Sequence, residues 1–121
     1  LAKYYGLEVT AFSPLGSISY EEIGGAEETE SLLRDETIKA TAKDLNISPA
    51  QLILSWALNR DTSIVVKSTN EKRMKENLDA SKIELDQSIL DKVSSLNIDK
   101  RYNDPGIFCE DAFNTFFPIY D

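Results

Sequence analysis

The sequence predicts an α/β fold in which parallel strands are joined by helical crossovers. Short apolar or β-branched runs at 7–12 and 63–66 alternate with segments of helical periodicity, in the order strand, helices, strand, helices. The second run, Ser63-Ile64-Val65-Val66, is continuous rather than alternating, as a parallel strand covered on both faces should be. Each run also passes into a loop rich in hydroxyls, Pro, Gly or cations, the composition of ligand loops at strand ends.

The first strand, 7–12, reads Leu-Glu-Val-Thr-Ala-Phe and is stopped by Ser13-Pro14. Residues 13–30, with Gly16, Gly24 and Gly25, form a loop longer than most connections, which points to a functional segment. Residues 31–45 follow helical spacing through Leu32, Ile38, Ala42 and Leu45. Ser48-Pro49-Ala50-Gln51 then combines an N-cap Ser, a Pro at the first helical position and a Gln three residues after the cap. Ile47 and Leu52 sit where a hydrophobic staple places them. The helix that follows, about 49–60, is apolar nearly all round, through Leu52, Ile53, Leu54, Trp56, Ala57 and Leu58, and needs partners on more than one side. A helix over 71–78 follows the second strand, and Asp86 can cap another whose stripe is Ile89, Leu90, Val93 and Leu96. From 99 onward the chain turns irregular, with an Asp104-Pro105-Gly106 turn and the aromatics Phe108, Phe113, Phe116, Phe117 and Tyr120.

Composition narrows the chemistry. The 121 residues suffice for one small domain, and a hydrophobic content of 41% argues for a folded chain. A net charge of −8 argues against nucleic acid as a partner, and no apolar run approaches the roughly 20 residues of a membrane span. The single Cys109 excludes an internal disulfide and suits a reducing compartment, so the expected location is cytoplasmic. With no histidine in the chain, the commonest general base and every Ser-His or Cys-His pair are missing, and with one cysteine a metal site is not expected.

The acid clusters early, from Glu21 to Glu36, whereas Lys67, Lys72, Arg73 and Lys75 form a basic island. That island reads either as a solvated helix face or as an anion site. The anion reading rests on its setting: Val65-Val66-Lys67-Ser68-Thr69-Asn70 ends a strand in a cation and two hydroxyls, and a helix carrying Arg73 begins at once. Hydroxyls and the first free N–H groups of a helix suit phosphate oxygens, Lys67 adds a point charge, and Arg73 a planar fork. The loop Phe12-Ser13-Pro14-Leu15-Gly16-Ser17 has a similar character. Two strand-end loops suited to phosphate make a nucleotide-binding half-site. Two parallel strands make a poor sheet, and the all-round apolar helix has little to lie against, so a larger α/β protein is expected. The Leu1 start, without Met or signal-peptide architecture, leads to the same expectation. In a (β/α)8 barrel the phosphate site is frequently built by the loops after the last two strands, which makes the chain the C-terminal portion of such a TIM barrel with an irregular C-terminal tail.

Thr10-Ala11-Phe12-Ser13-Pro14-Leu15-Gly16-Ser17, then Val66-Lys67-Ser68 with Arg73, Glu76 and Asn77, resembles the aldo-keto reductases. Arg101-Tyr102-Asn103-Asp104-Pro105 extends the resemblance toward their fungal xylose-reductase-like branch. The resemblance implies that 1–98 are the last two βα units, an NADP-binding half-site, and that 99–121 are a substrate-pocket tail. It implies pyrophosphate contacts at Ser13, Leu15 and Ser17, with Phe12 stacking on the nicotinamide. It gives the adenosine 2′-phosphate to Lys67, Ser68, Thr69, Asn70 and Arg73, the adenine to Glu76 and Asn77, and substrate hydroxyls to Asn103. The cofactor implied is NADPH (NADP), with NADH also used by some members, and the partner is a small-molecule carbonyl substrate: an aldehyde, ketone or aldose. Phe12 stands where the family often has Tyr, and Val66 where it usually has Pro. The family's catalytic Asp, Tyr, Lys and His all precede the segment present here, so no catalytic residue is expected in this chain and, alone, it should be inactive.

Other readings stand beside this one. Phe12 also suits the core, Glu76 also pairs along its helix with Lys72, and the tail aromatics also suit a barrel cap. For the whole chain the alternatives are a truncated non-catalytic remnant and a small acidic interaction module. Convergence of Lys67 and Arg73 on one cleft separates the interaction module from the nucleotide reading, and a start codon just before Leu1 would favour the remnant.

Overall fold

The computed structural model describes residues 2–21, 26–102, 106, 110 and 112–114. Asn103, the Asp104-Pro105 pair, Cys109 and most of the tail aromatics lie outside the described residues. Two strands, β1 (Val9–Phe12) and β2 (Thr62–Val65), pair in parallel with Val9 opposite Thr62 and Phe12 opposite Val65. The crossover between them carries a four-residue helix, α1 (Ile18–Glu21), a 3₁₀ turn (Glu28–Glu30), α2 (Glu36–Asp44) and α3 (Pro49–Leu58). After β2 come α4 (Glu71–Asp79), a 3₁₀ turn (Ala80–Lys82) and α5 (Gln87–Ser94).

Each long helix starts where a side chain can take an orphan N–H. Asp35 accepts from Ile38 N at 3.0 Å and Asp86 from Ile89 N at 2.9 Å. Ser48 and Gln51 form the expected capping box: Gln51 N donates to Ser48 Oγ at 3.2 Å and Ser48 N to Gln51 Oε1 at 3.0 Å. The helix expected over 31–45 begins later, because Asp35 caps it. Leu32 and Leu33 pack on the core from a turn instead, so helical spacing among apolar residues there reflects packing rather than helix. The loop expected over 13–30 is less bare than composition suggests, since α1 and the first 3₁₀ turn lie within it.

The core gathers Ile38 and Ala42 of α2, Leu52 and Ile53 of α3, Leu85, and Val93 of α5. Leu52 and Leu54 are fully buried, each worth about 1.5–3 kcal/mol relative to exposure. The all-round apolar helix therefore finds its partners inside this chain, contrary to expectation: α2, α4, α5 and β2 all lie against α3 or its ends. Polar groups lock these faces. Trp56 Nε1 donates to Leu90 O at 3.2 Å and to Ser94 Oγ at 3.1 Å, and the buried Ser55 hydroxyl donates to Ala80 O at 3.0 Å.

The sheet departs from expectation in the other direction. Along β2 exposure alternates, with Thr62 and Ile64 half-buried and Ser63 and Val65 exposed. Phe12 is 63% and Val65 60% exposed; in this chain β2 is covered on one face, by α3, while β1 is largely exposed.

Candidate functional site

The parallel register sets Phe12 level with Val65, so the two strands end side by side and their loops leave from adjacent points. After β1 the chain turns sharply. Gly16 N donates to Ser13 O at 3.0 Å, closing a turn over Pro14 and Leu15. Ser13 has φ 50° and Gly16 φ 83°; the second value is the reason glycine suits position 16. Leu15 packs on the core and so fixes the turn from inside.

After β2, Val66-Lys67-Ser68-Thr69 leads to the cap of α4. Asn70 Oδ1 accepts from Arg73 N at 3.0 Å, and Ser68 Oγ accepts from Asn70 N at 3.2 Å. The cap occupies the Asn70 carbonyl oxygen and leaves its amide nitrogen as the donor that could meet an anion. Glu71 places a carboxylate in the same first turn, so the attraction for an anion here must come from Lys67 and Arg73.

These loops meet. A cleft of about 480 Å³ is lined by Phe12, Ser13 and Leu15 from the first loop and by Val66, Lys67 and Arg73 from the second. Five of the residues singled out from sequence thus share one wall-to-wall space: an exposed ring, a turn hydroxyl, an aliphatic side chain and two cations. Lys67 also borders an adjoining hollow of about 560 Å³, together with Ser68 and Asn77. Ser17 is turned away; its buried hydroxyl donates to Glu21 Oε1 at 3.3 Å. Thr69 is exposed beside the cleft, and Glu76 lies 3.9 Å from Lys72, the along-helix pairing its spacing allows. Asn103 lies outside the described residues.

Three sets of contacts around the site have no sequence signal strong enough to find them. Gln51, besides closing its capping box, donates through Nε2 to Glu76 O at 3.2 Å, tying α3 to α4 behind Asn77. Arg34 Nη1 reaches Glu21 at 2.9 Å and Glu28 at 3.3 Å. Lys100 Nζ donates to both carboxylate oxygens of Glu30 at 2.6 Å, across 70 residues of chain. That ion pair holds the Glu30 carboxyl below its ordinary range, with a further contribution from Glu27 N, and pushes the Lys100 amine up. Burial, then the nearby Glu30 charge, pushes the Tyr102 phenol up.

Among the described residues no cluster of three or more His, Cys, Asp or Glu is arranged to hold a metal, and no helix is long and apolar enough to cross a membrane. What the cleft offers is a flat apolar ring at one strand end and paired cations at the other. That combination suits a phosphorylated molecule with an aromatic part.

Comparison with known proteins bears on the family. The family model described as "Aldo/keto reductase family" matches residues 1–98. The chain is 38% identical over 104 residues to 4-dihydromethyl-trisporate dehydrogenase of Mucor mucedo, covering 85% of this chain and 32% of that protein. It is 39% identical over 106 residues to the NAD(P)H-dependent D-xylose reductase of Scheffersomyces stipitis, covering 86% and 33%. A probable D-xylose reductase of Aspergillus flavus is 37% identical over the same length. Among solved structures, an aldo/keto reductase from Brucella melitensis superposes with a TM-score of 0.64 at 29% identity, covering 79% of this chain and 32% of that one. An aldo-keto reductase from a Medee basin deep-sea metagenome library, at 24% identity and TM-score 0.68, shares the fold over 83% of this chain. The chain spans about a third of the length of the curated relatives it matches. On the family match, the chain belongs to the aldo/keto reductase family, and among its members it is similar to fungal xylose reductases.

Proposed function

We propose that this chain is the C-terminal portion of a (β/α)8 barrel that reduces a small carbonyl compound, an aldehyde, ketone or aldose, with NADPH. In this reading residues 1–98 form the last two βα units and residues 99–121 a tail over the substrate pocket. The observation that carries it is the single cleft into which Phe12, Ser13, Leu15, Lys67 and Arg73 converge. The relatives named as NAD(P)H-dependent D-xylose reductases support the cofactor class and an aldose among the candidate substrates. A cytoplasmic location belongs to the same reading, supported by the single cysteine of the chain.

The residues present fit a dinucleotide in part. Lys67 and Arg73 would hold a 2′-phosphate, and a planar guanidinium beside a strand-end loop can also stack on adenine. The turn closed by Ser13 and Gly16 would take the pyrophosphate, and the exposed face of Phe12 would lie against the nicotinamide. The cofactor, when bound, supplies the hydride. This chain's part is to bind and orient; without histidine it contributes no imidazole to proton transfer. Expressed by itself it should therefore turn over no carbonyl.

The test is a fluorescence titration of the full-length protein that carries this chain, with NADPH and NADH, followed by assays on xylose and a simple aldehyde. Saturable NADPH binding with carbonyl-dependent oxidation is the expected result. Absence of binding to either cofactor would refute the proposal.

A further inference from the structure

The loop that would take the pyrophosphate borders two hollows. Gly16 lines the cleft and also, with Ser17, a second hollow of about 510 Å³. Leu15 anchors the loop to the core from inside, and the residues on either side of it are held by ties at the loop's two ends. At its leading end the tie is the Ser13–Gly16 turn. At its trailing end Ser17 O accepts from Tyr20 N at 2.7 Å and from Glu21 N at 3.0 Å, so the loop runs directly into α1.

At four residues, α1 is too short to stand by itself and takes its position from what docks on it. Arg34 holds Glu21 from the side of α2. From the far end of the chain, the Tyr102 ring stacks on Tyr20 with centroids 5.9 Å apart and planes at 26°. Lys100 steadies that ring, its Nζ 5.4 Å from the centroid, while grasping Glu30 through both carboxylate oxygens. Glu30 in turn accepts from Glu27 N at 2.8 Å, which fixes the 3₁₀ turn on which the grip depends.

Resting on the cofactor reading above, we propose that Lys100 and Tyr102 are positioning residues for the pyrophosphate loop: they fasten α1 and the Glu28–Glu30 turn to the start of the tail and so set how long the dinucleotide stays bound. Both act through Tyr20 and Glu30 and line the second hollow bordered by Gly16, not the cleft. The consequence is selective. Contacts at Lys67 and Arg73 lie on the other loop and do not depend on this fastening.

Two probes separate the two ends of the site: NADPH, which needs both loops, and adenosine 2′-monophosphate, which needs only the second. In the full-length protein, stopped-flow fluorescence should show NADPH leaving about three- to tenfold faster from Lys100→Met and from Tyr102→Leu. Lys100→Arg, which keeps a charged donor to Glu30, should restore the parent rate. The dissociation constant for adenosine 2′-monophosphate should stay within about twofold of the parent in all three, as expected for distant, independent sites. Equal weakening of both probes would mean a general structural role and overturn the proposal. Unchanged NADPH release in both variants would overturn it too, while leaving the cofactor reading intact. A parent protein that binds neither probe would overturn both.

Discussion

Asn59 holds Leu85, which lies between the Ala80–Lys82 turn and α5: its Oδ1 accepts from Leu85 N at 3.1 Å. Its Nδ2 donates to Ile83 O at 2.9 Å and back to Ser55 O at 2.8 Å. One half-buried amide at the C-terminus of α3 thus satisfies three backbone groups and fixes where the chain runs after α4. Leu85 is one of the buried core residues, so a polar contact sets an apolar one. Replacing Asn59 by Ala should destabilise the protein by about 1–3 kcal/mol, since backbone groups lose partners without gaining water. Urea unfolding measures this; a loss under about 0.5 kcal/mol would show that solvent replaces the amide.

Lys67 and Arg73 share one cleft, which predicts their effect on cofactor choice. In the full-length protein, Lys67→Ala with Arg73→Ala should raise the NADPH dissociation constant far more than that for NADH. Each lost charge-assisted contact should cost about 1.5–3 kcal/mol. Equal weakening of the two cofactors would remove the 2′-phosphate assignment.

Phe12 lets fold and site be separated. Its ring is 63% exposed, so Phe12→Ala should change stability by less than about 0.5 kcal/mol. Cofactor affinity should nevertheless fall by the about 0.5–1.5 kcal/mol of an aromatic contact, and Phe12→Tyr should keep it. Parallel thermal melts and NADPH titrations decide. A large stability loss with unchanged affinity would return Phe12 to the core.

Acid should loosen α5 through Asp86. Its carboxyl lies below the ordinary range because Ser88 Oγ donates to it at 2.6 Å and Ile89 N at 2.9 Å. A carboxyl depressed in the folded state contributes stability that is complete above its unfolded pKa. That stability is lost as pH falls through the folded value. Asp86→Asn keeps a cap acceptor but cannot titrate, so it should flatten the acid limb of a stability–pH profile. Profiles that stay parallel from neutral pH to about 2.5 would exclude Asp86 as a contributor.

What the sequence made legible depended on range. The start of α3 could be read in full, because a capping box is a local device whose two partners are three residues apart. The caps at Asp35, Asn70 and Asp86 obey the same local chemistry, although Leu32 mimicked a helix that had not yet begun. The cleft residues were legible because each loop sits directly after its strand and the parallel register brings the strand ends level. Contacts such as Lys100 with Glu30, or Trp56 with Ser94, were not legible. Nothing in a run of residues says which exposed Lys will meet which Glu 70 positions away. The exposed face of the sheet was misjudged for a related reason: an apolar strand reports what it is suited to lie under, not what this chain lays over it.

The level pairing of Phe12 with Val65 also makes the sheet a gauge. Neighbouring strands stand about 4.8 Å apart and rise about 3.3 Å per residue, so the offset between the two loop mouths is quantised by register. A one-residue deletion in β2 would draw the Lys67 loop back by about one such step and turn its side chains to the opposite face. A two-residue deletion would keep the facing but open a gap of about 6.6 Å, roughly the reach of a phosphate group with its hydrogen bonds. The length of ligand the cleft can span is therefore written in strand alignment before any loop residue is chosen, and loop substitutions alone can tune affinity but not span.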